Sequence, residues 1–321
     1  MRADGQAQAA DGTGVAISLR DRAGLMTLAG ARLTLPMCRV MAGGLERFAR
    51  DPHVYCAILT SAGDGPFCLC DDSSAPDRDA LAAAADLVWR IDRFTKPHVA
   101  LLAGLVTGAG LSLIAFGTHR VAAGAVTFAA TDAAGGPLPP GVSLALSRLQ
   151  GGVGLYMALT GHRIEAALAW RLGLLTHIVA PSQFAAIATR LADADPVDAV
   201  LDALDARPVA SRLDPHLPAI ARCFALGPPD AIVTRLDAER GESAGWAAET
   251  AAVLRAAPLL TLAVRARVMA MQAGLSLREA LALDVRVASN AAGAGSLEEH
   301  FAPLNDGELV LPPEPMPPSI G

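Results

Sequence analysis

Short apolar runs of strand length alternate with helix-length amphipathic segments through the first half of the chain. The continuous apolar runs at residues 54–60 and 98–103 predict two strands that are covered on both faces of a sheet. Residues 35–50 and 79–94 instead repeat apolar positions at helical spacing, and Thr34 stands where it could cap the first of these helices. Because strands and helices alternate, the pattern predicts an α/β layered fold.

The pattern changes after about residue 190, where helical periodicity interrupted by prolines replaces the strand-like runs. In this region Ser276 and Glu279 have the spacing of a capping box at a helix N-terminus. We therefore expect four parts along the chain, which are a disordered leader (1–14), an α/β core (15–190), a helical C-terminal region (191–289) and a proline-rich tail (290–321).

The composition narrows the class of protein. Of the 321 residues, 52% are hydrophobic and 18% charged, with a net charge of −6, which excludes wholesale disorder and argues against a nucleic-acid partner. No apolar stretch has the length and continuity of a membrane span, and residues 1–14 contain no signal-like apolar run, so we expect no membrane partner and a cytoplasmic location. The odd number of cysteines, five, fits a reducing compartment, and the Cys68-x-Cys70 pair lacks the partners of a zinc site.

Two loops carry the residue types that chemistry needs. Residues 63–74, GDGPFCLCDDSS, end a short strand in two acids and two hydroxyls, and residues 104–110, GLVTGAG, follow a buried strand and open a helix. A glycine-rich turn of this kind aims backbone N–H groups and the positive end of a helix dipole at one point, which suits an anion. The same glycines could equally serve close packing of the helix on the strand. The loop has neither the GK[ST] nor the G-x-G-x-x-G pattern of nucleotide sites.

Four segments in order resemble the crotonase (enoyl-CoA hydratase/isomerase) superfamily of acyl-CoA enzymes. They are residues 67–72 (FCLCDD), 96–110, 128–132 (FAATD) and 148–164. More narrowly, RLQGGVGLYMALTGHRI, LPAIARCFALGPPDAIVTRL and GLSLREALALDVRVA are similar to the 3-hydroxyisobutyryl-CoA hydrolase branch. The resemblance implies a ClpP/crotonase-like spiral of repeated ββα units with a helical C-terminal region. It also implies an acyl-CoA substrate, no cofactor beyond the coenzyme A of that substrate, and a possible homo-oligomer (trimer, hexamer or dimer).

The resemblance assigns roles to particular positions. Two backbone N–H groups, those of Asp71 and Ala109, would hold the thioester oxyanion, and Asp132 would act as base toward water or as nucleophile. Ala109 replaces the usual glycine, which is acceptable if its φ is negative. The Asp71 carboxylate would either cap a helix begun at Ser73 or Ser74 or oppose the developing charge. The positions implied to bind substrate are Ala23, Leu25, Cys68, Leu69, Cys70, Gly108, Gly110, Ser112 and Pro140.

Two of these positions depart from the family pattern. Hydratases keep a glutamate on the helix after the glycine loop, where this chain has Ser112, and the hydrolase branch keeps an aspartate eight positions after the acid, where this chain has Pro140. The leading hypothesis is an acyl-CoA thioester hydrolase with Asp132 as its single carboxylate. The alternatives are a hydratase or isomerase with relocated acids and a non-catalytic acyl-CoA-binding homologue.

Other polar residues are interpreted as structural. We expect His98 and His119 to be hydrogen-bonded histidines of the fold. Cys70 could meet a thioester, but a small buried thiol is the commoner state.

Overall fold

The computed structural model describes residues 13–29, 32–62, 67–68, 77–131, 136–206, 210–304, 307 and 309–312, together with the backbone of residues 8–9. The described strands are β1 (Gln8–Ala9), β2 (Val15–Arg20), β3 (Ala23–Leu28), β4 (Cys56–Ser61), β5 (His98–Leu102), β6 (Leu105–Thr107), β7 (His119–Ala123), β8 (Thr127–Ala129), β9 (Ile164–Glu165) and β10 (His177–Val179). The described helices of the first part are α1 (Leu35–Arg50), α2 (Arg78–Asp92), α3 (Ala109–Ile114), α4 (Val142–Ser147), α5 (Val153–Thr160) and α6 (Ala166–Arg171). Those that follow are α7 (Phe184–Ala192), α8 (Val197–Asp202), α9 (Leu217–Cys223), α10 (Pro229–Ala238), α11 (Ala244–Ala256), α12 (Leu259–Met271), α13 (Leu277–Asn290) and α14 (Leu297–His300).

Within the described residues, the strands form a seven-stranded sheet in the order β1-β2-β3-β4-β5-β7-β10 and a three-stranded sheet in the order β6-β8-β9. The first sheet is parallel from β3 to β10, and its β1-β2 and β2-β3 pairs are antiparallel. The chain passes from the first sheet into the second twice, from β5 to β6 and from β7 to β8. The units β2-β3-α1 and β5-β6-α3 are therefore ββα repeats, and the predicted fold class is confirmed.

The larger sheet is buried on both faces, as the continuous apolar runs predicted. Successive side chains of a strand point to opposite faces, so Met26 and Leu59 pack with α1, α2 and α3 in the main core, whereas Ala23 and Ile58 pack on the other face. Helices α7 and α8 cover that other face with side chains such as Ile187.

Within the described residues, no strand follows Val179, and the rest of the chain is helical. Helix α13 begins at Ser276, whose hydroxyl and the Glu279 carboxylate form the predicted capping box. No single helix in the described part of the chain is long and apolar enough to span a bilayer, although Gly241–Ala256 and Leu259–Met271 reach that length together across a 109° bend.

The two ends differ from the expected leader and tail. Gln8–Ala9 pairs with β2, so the segment predicted to be disordered contributes a short strand. Beyond Asn290, helix α14 begins at the N-cap Ser296, and Leu311 is buried beside Trp89. Gln8–Ala9 thus pairs with the next strand along the chain, whereas Leu311 packs with a helix that lies far away in the sequence.

Candidate active site

The turn between β6 and α3 is the glycine-rich loop identified in the sequence. Gly108 adopts φ 46° and ψ −108°, a conformation that side chains with a Cβ rarely reach. Ala109 then begins α3 and is not among the described non-glycine residues with positive φ, so its substitution for glycine is compatible with the turn. The Ser112 N–H donates to the Gly108 carbonyl (3.2 Å) and closes the first turn of the helix. Ala109 N–H thus lies at the amino end of α3.

The described part of the first loop, Phe67 and Cys68, lies directly beside this turn. Cys68 forms a parallel bridge with Val106, and the Phe67 N–H donates to the Leu105 carbonyl (2.8 Å). A Cβ added at Gly110 would lie 3.0 Å from the Cys68 carbonyl oxygen and 3.3 Å from Val106 Cγ1. Glycine at position 110 therefore permits the close packing of the two segments, whereas glycine at position 108 suits the backbone conformation. The described residues of the two loops are therefore adjacent.

Four of the predicted site residues lie outside the described residues, and their roles stay predictions. They are Asp71, Asp132, Leu69 and Cys70. The described helix that follows the first loop begins at Arg78, and its N-cap is Asp77, whose carboxylate accepts from the Asp79 N–H. The expected cap of a helix at Ser73 or Ser74 by the Asp71 carboxylate lies outside the described residues and stays a prediction.

Ser112 and Pro140, the two positions that depart from the family pattern, contact each other. Both are buried, and the Ser112 hydroxyl donates to the Pro140 carbonyl oxygen at 2.8 Å. Neither side chain ionises, so this pair supplies no acid or base. The bond instead ties α3 to residues 136–141, the segment that leads into α4 (the α4 loop).

A buried carboxylate from the C-terminal region holds the α4 loop at its carboxyl end. Asp284 on α13 is 3% exposed, and its Oδ2 accepts from the Gly141 N–H at 2.8 Å. Its Oδ1 accepts from Gln272 Nε2 at 3.2 Å. Burial raises the pKa of Asp284 to about 7, although the hydrogen bonds from Gly141 and Ser143 act to lower it. Asp284 is the one buried carboxylate among the described residues.

A buried arginine holds the other end of the same loop. Arg265 on α12 donates through Nε to the Gly136 carbonyl (2.9 Å) and through Nη1 to the Ala158 carbonyl (3.1 Å). Burial lowers the pKa of Arg265 to about 10. Arg265 and Asp284 line one small cavity together with Pro137, Leu138 and Ser143. The α4 loop thus lies between two charged side chains of the helical region.

The match to known families decides the assignment. Residues 29–300 match the enoyl-CoA hydratase/isomerase family. The chain belongs to this family of enzymes. The predicted crotonase resemblance is therefore confirmed.

Two curated relatives carry the name of the predicted branch. The mitochondrial 3-hydroxyisobutyryl-CoA hydrolase of Danio rerio is 29% identical over 83% of this chain and 75% of its own length. The Homo sapiens protein of the same name is 26% identical over 79% of this chain and 71% of its own length. These alignments extend well beyond the β-rich part of the chain.

Two solved structures share the fold over nearly the whole chain. A carnitinyl-CoA dehydratase from Mycobacterium thermoresistibile has a TM-score of 0.83 at 27% identity, covering 92% of this chain and 98% of the other. An enoyl-CoA hydratase from Rhodobacter sphaeroides has a TM-score of 0.81 at 24% identity, covering 93% and 100%, and this likeness shows the fold alone.

Two predicted binding residues lie apart from the described members of the predicted site. Ala23 is fully buried and Leu25 half-buried, and both pack in the apolar cluster on the face covered by α7. Cys68 and Ala109 belong to the main core on the other face. The alternation of side chains along β3 separates the two sets.

His98 and His119, which were both expected to be hydrogen-bonded within the fold, differ in their hydrogen-bond partners. His119 meets that expectation, because Thr118 Oγ1 lies 2.9 Å from its Nδ1 and Asp198 Oδ1 lies 3.0 Å from its Nε2. The prediction is wrong for His98, since neither ring nitrogen has a hydrogen-bond partner among the described residues. Burial, and to a smaller extent the nearby His119, lowers the pKa of His98 to about 4. The His98 ring therefore acts as an apolar core group.

Sequence reasoning missed Asp284 and Arg265, although a signal was present. Asp284 stands on the apolar face of α13, between Leu281 and Ala288 at helical spacing, where an exposed acid would not fall.

A metal site would need several ligating side chains close together. Within the described ranges, no group of three or more His, Cys, Asp or Glu side chains could hold a metal ion.

Proposed function

We propose that the protein hydrolyses acyl-CoA thioesters of the 3-hydroxyisobutyryl-CoA class. The observation that carries the proposal is the turn at Gly108, which places the Ala109 N–H at the amino end of α3 directly beside the Cys68 segment. The two 3-hydroxyisobutyryl-CoA hydrolases at 29% and 26% identity support the choice of substrate class. Coenzyme A enters as part of the substrate.

In the proposed reaction, the N–H groups of Ala109 and Asp71 donate to the thioester carbonyl oxygen and stabilise the charge that develops there. Asp132 takes a proton from a water molecule while the water oxygen attacks the carbonyl carbon, which gives a tetrahedral intermediate. The C–S bond then breaks, and coenzyme A leaves as the thiol when the proton returns to its sulfur. Direct attack by the Asp132 carboxylate is the alternative route, and water would then hydrolyse the resulting acyl-enzyme anhydride.

Release of free coenzyme A thiol from a panel of acyl-CoAs tests the proposal. We expect 3-hydroxyisobutyryl-CoA and similar short branched thioesters to be cleaved, and Asp132→Ala to lower turnover at least about 100-fold. Asp230→Ala, which removes an exposed carboxylate on α10, is the matched control and should retain wild-type turnover. Absence of turnover with every thioester, or turnover that is insensitive to Asp132→Ala, would contradict the proposal.

A second candidate, a non-catalytic acyl-CoA binder, is favoured by the Ser112–Pro140 contact. At this contact, two positions that carry acids in related enzymes are neutral and hydrogen-bonded to each other. Calorimetry with a non-hydrolysable thioether analogue of isobutyryl-CoA distinguishes the candidates when it is combined with the thiol assay. Binding without thiol release supports the binder. Loss of the double bond of crotonyl-CoA without thiol release supports a hydratase.

A further inference from the structure

The α4 loop is connected to the C-terminal helices by more than apolar packing. Its carboxyl end is bonded to Asp284 through the Gly141 N–H, and its amino end to Arg265 through the Gly136 carbonyl. These bonds span 143 and 129 positions of sequence. Between these two ends, the Pro140 carbonyl accepts from Ser112 on α3.

The contacts form a continuous path to the proposed oxyanion site. The Gly141 N–H, which donates to Asp284, and the Pro140 carbonyl belong to the same peptide group. That carbonyl accepts a hydrogen bond from the Ser112 hydroxyl. Ser112 in turn closes the first turn of α3 on Gly108, the residue before Ala109. A shift of the Gly141 amide therefore reaches the start of α3 through two further hydrogen bonds.

Burying a carboxylate is unfavourable unless its partners compensate. A leucine or alanine at position 284 would leave the buried Gly141 N–H without an acceptor, which is the costlier situation. Gly141 itself adopts φ 84°, and a Cβ there would lie 2.9 Å from Phe116 Cε2, so this position requires glycine. The carboxyl group is thus placed for one specific backbone contact.

We propose that Asp284 is a positioning residue, which fixes the α4 loop and, through the Pro140 carbonyl, the amino end of α3. This inference rests on the proposed thioester hydrolysis for its kinetic consequence. Asp284 does not touch the reacting atoms; it keeps the donor at Ala109 in the geometry that the oxyanion needs. Misplacement by about 1 Å is enough to lower a rate about 100-fold.

Three variants of the full-length protein test the role. Asp284→Ala removes the acceptor. Asp284→Asn keeps an oxygen for the Gly141 N–H. Its amide can donate to Gln272 Oε1 once the Gln272 side-chain amide flips, because Nε2 faces residue 284 in the wild type and Oε1 has no hydrogen-bond partner among the described residues. Leu283→Ala is the matched control, because it weakens the packing of α13 against α12 in a separate apolar cluster and leaves the Gly141 bond in place.

The readouts are kcat and KM for 3-hydroxyisobutyryl-CoA and hydrogen exchange of the peptide that spans residues 136–147. For Asp284→Ala we expect kcat to fall about 10- to 100-fold with KM within about threefold, and the Gly141 amide to exchange at least about tenfold faster. Asp284→Asn should recover kcat to within about threefold of wild type, and Leu283→Ala should keep the wild-type kcat. An equal loss of kcat in Asp284→Ala and Leu283→Ala, or no recovery in Asp284→Asn, would overturn the inference.

The outcome stays separate from that of the proposed function. If the wild type cleaves no thioester, the proposed function fails, and the role of Asp284 is decided by exchange and by affinity for the thioether analogue of isobutyryl-CoA. In that case Asp284→Ala should accelerate Gly141 exchange and weaken binding at least about fivefold, with recovery in Asp284→Asn. Unchanged exchange or unchanged affinity would refute the inference.

Discussion

The turn into α3 and the loop into α4 meet at the Ser112–Pro140 hydrogen bond but are built differently. The turn into α3 is made by backbone geometry and apolar contacts within about 45 residues, from Cys68 to Ser112. The loop into α4 is held by charged side chains that belong to α12 and α13. The proposed oxyanion donors are backbone N–H groups, so the proposed chemistry of the turn depends on the backbone conformation at Gly108 and needs no ionisable side chain. The α4 loop depends on distant side chains for its position.

Replacing Gly108 should have the largest effect. Gly108→Val forces a β-branched side chain into φ 46°, ψ −108°, at a cost of about 1–3 kcal/mol, and the relaxation should displace the Ala109 N–H. We expect thioester hydrolysis to fall at least about 100-fold, since removal of one oxyanion donor has that magnitude. Thiol release and urea unfolding measure the two effects. Gly43→Ala is the control, because this glycine lies in α1 with nothing within 4 Å of an added Cβ; equal activity losses in both variants would refute the assignment of the turn.

The pH dependence of stability tests whether the buried Asp284 carboxyl group beside the α4 loop has a raised pKa. The pKa of Asp284 rises from 3.8 to about 7, so the folded protein binds more protons than the unfolded chain across that range. Stability should therefore fall as the pH rises from about 4 to about 7, by a few kcal/mol at about 1.4 kcal/mol per unit. Arg265 on α12 is the charged residue that lines the same cavity.

Urea unfolding of the wild type and Asp284→Asn at several pH values between about 5 and 8 isolates this effect, because the variant cannot ionise. The wild type should lose stability relative to the variant as the pH rises. A constant difference would show that Asp284 titrates alike in the folded and unfolded states.

His98, at the start of β5 in the larger sheet, should give stability the opposite dependence on pH. Its pKa falls from 6.5 to about 4 through burial, so the unfolded chain binds more protons between these values. The stability that the neutral ring contributes is complete above about pH 6.5 and is lost as the pH falls toward 4. Compared with His98→Leu, the wild type should lose up to a few kcal/mol over this range, somewhat less than for Asp284. Parallel unfolding curves of the two proteins from about pH 6.5 to 4 would contradict the burial of a neutral ring.

The sequence was sufficient to predict the layers of the fold and the turn into α3. The apolar runs at 54–60 and 98–103 become β4 and β5 because a strand buried on both faces requires unbroken apolar residues. The glycines of the turn were visible because their conformations and close contacts exclude other residues. Ala23 and Leu25 pack on the face covered by α7, away from Cys68 and Ala109, because the face that a side chain meets depends on the packing of the whole sheet. Their role in substrate binding stays a prediction.

The α4 loop could not be predicted in the same way. A buried acid on α13 leaves only a local mark, one polar residue on an apolar helix face, and its partner Gly141 lies 143 positions earlier. A contact of that span is set by how the helical region folds back on the core, which periodicity does not encode. His98 was misjudged for a similar reason, because its ring is fully buried and its nitrogens have no hydrogen-bond partner among the described residues.

Removing the Ser112–Pro140 hydrogen bond, which joins the turn into α3 to the α4 loop, should change activity and stability less than the other substitutions. Ser112→Ala leaves the buried Pro140 carbonyl without its donor, and we expect a loss of about 1 kcal/mol in stability together with a several-fold fall in kcat. Ser147→Ala is the control, because the Ser147 hydroxyl donates only to Leu144 within its own helix. Unfolding and thiol-release measurements on both variants decide whether the regions are coupled. If the two serine variants behave alike, the α4 loop does not act on α3 through this bond, and the kinetic effect of Asp284 would have to reach the site by another path.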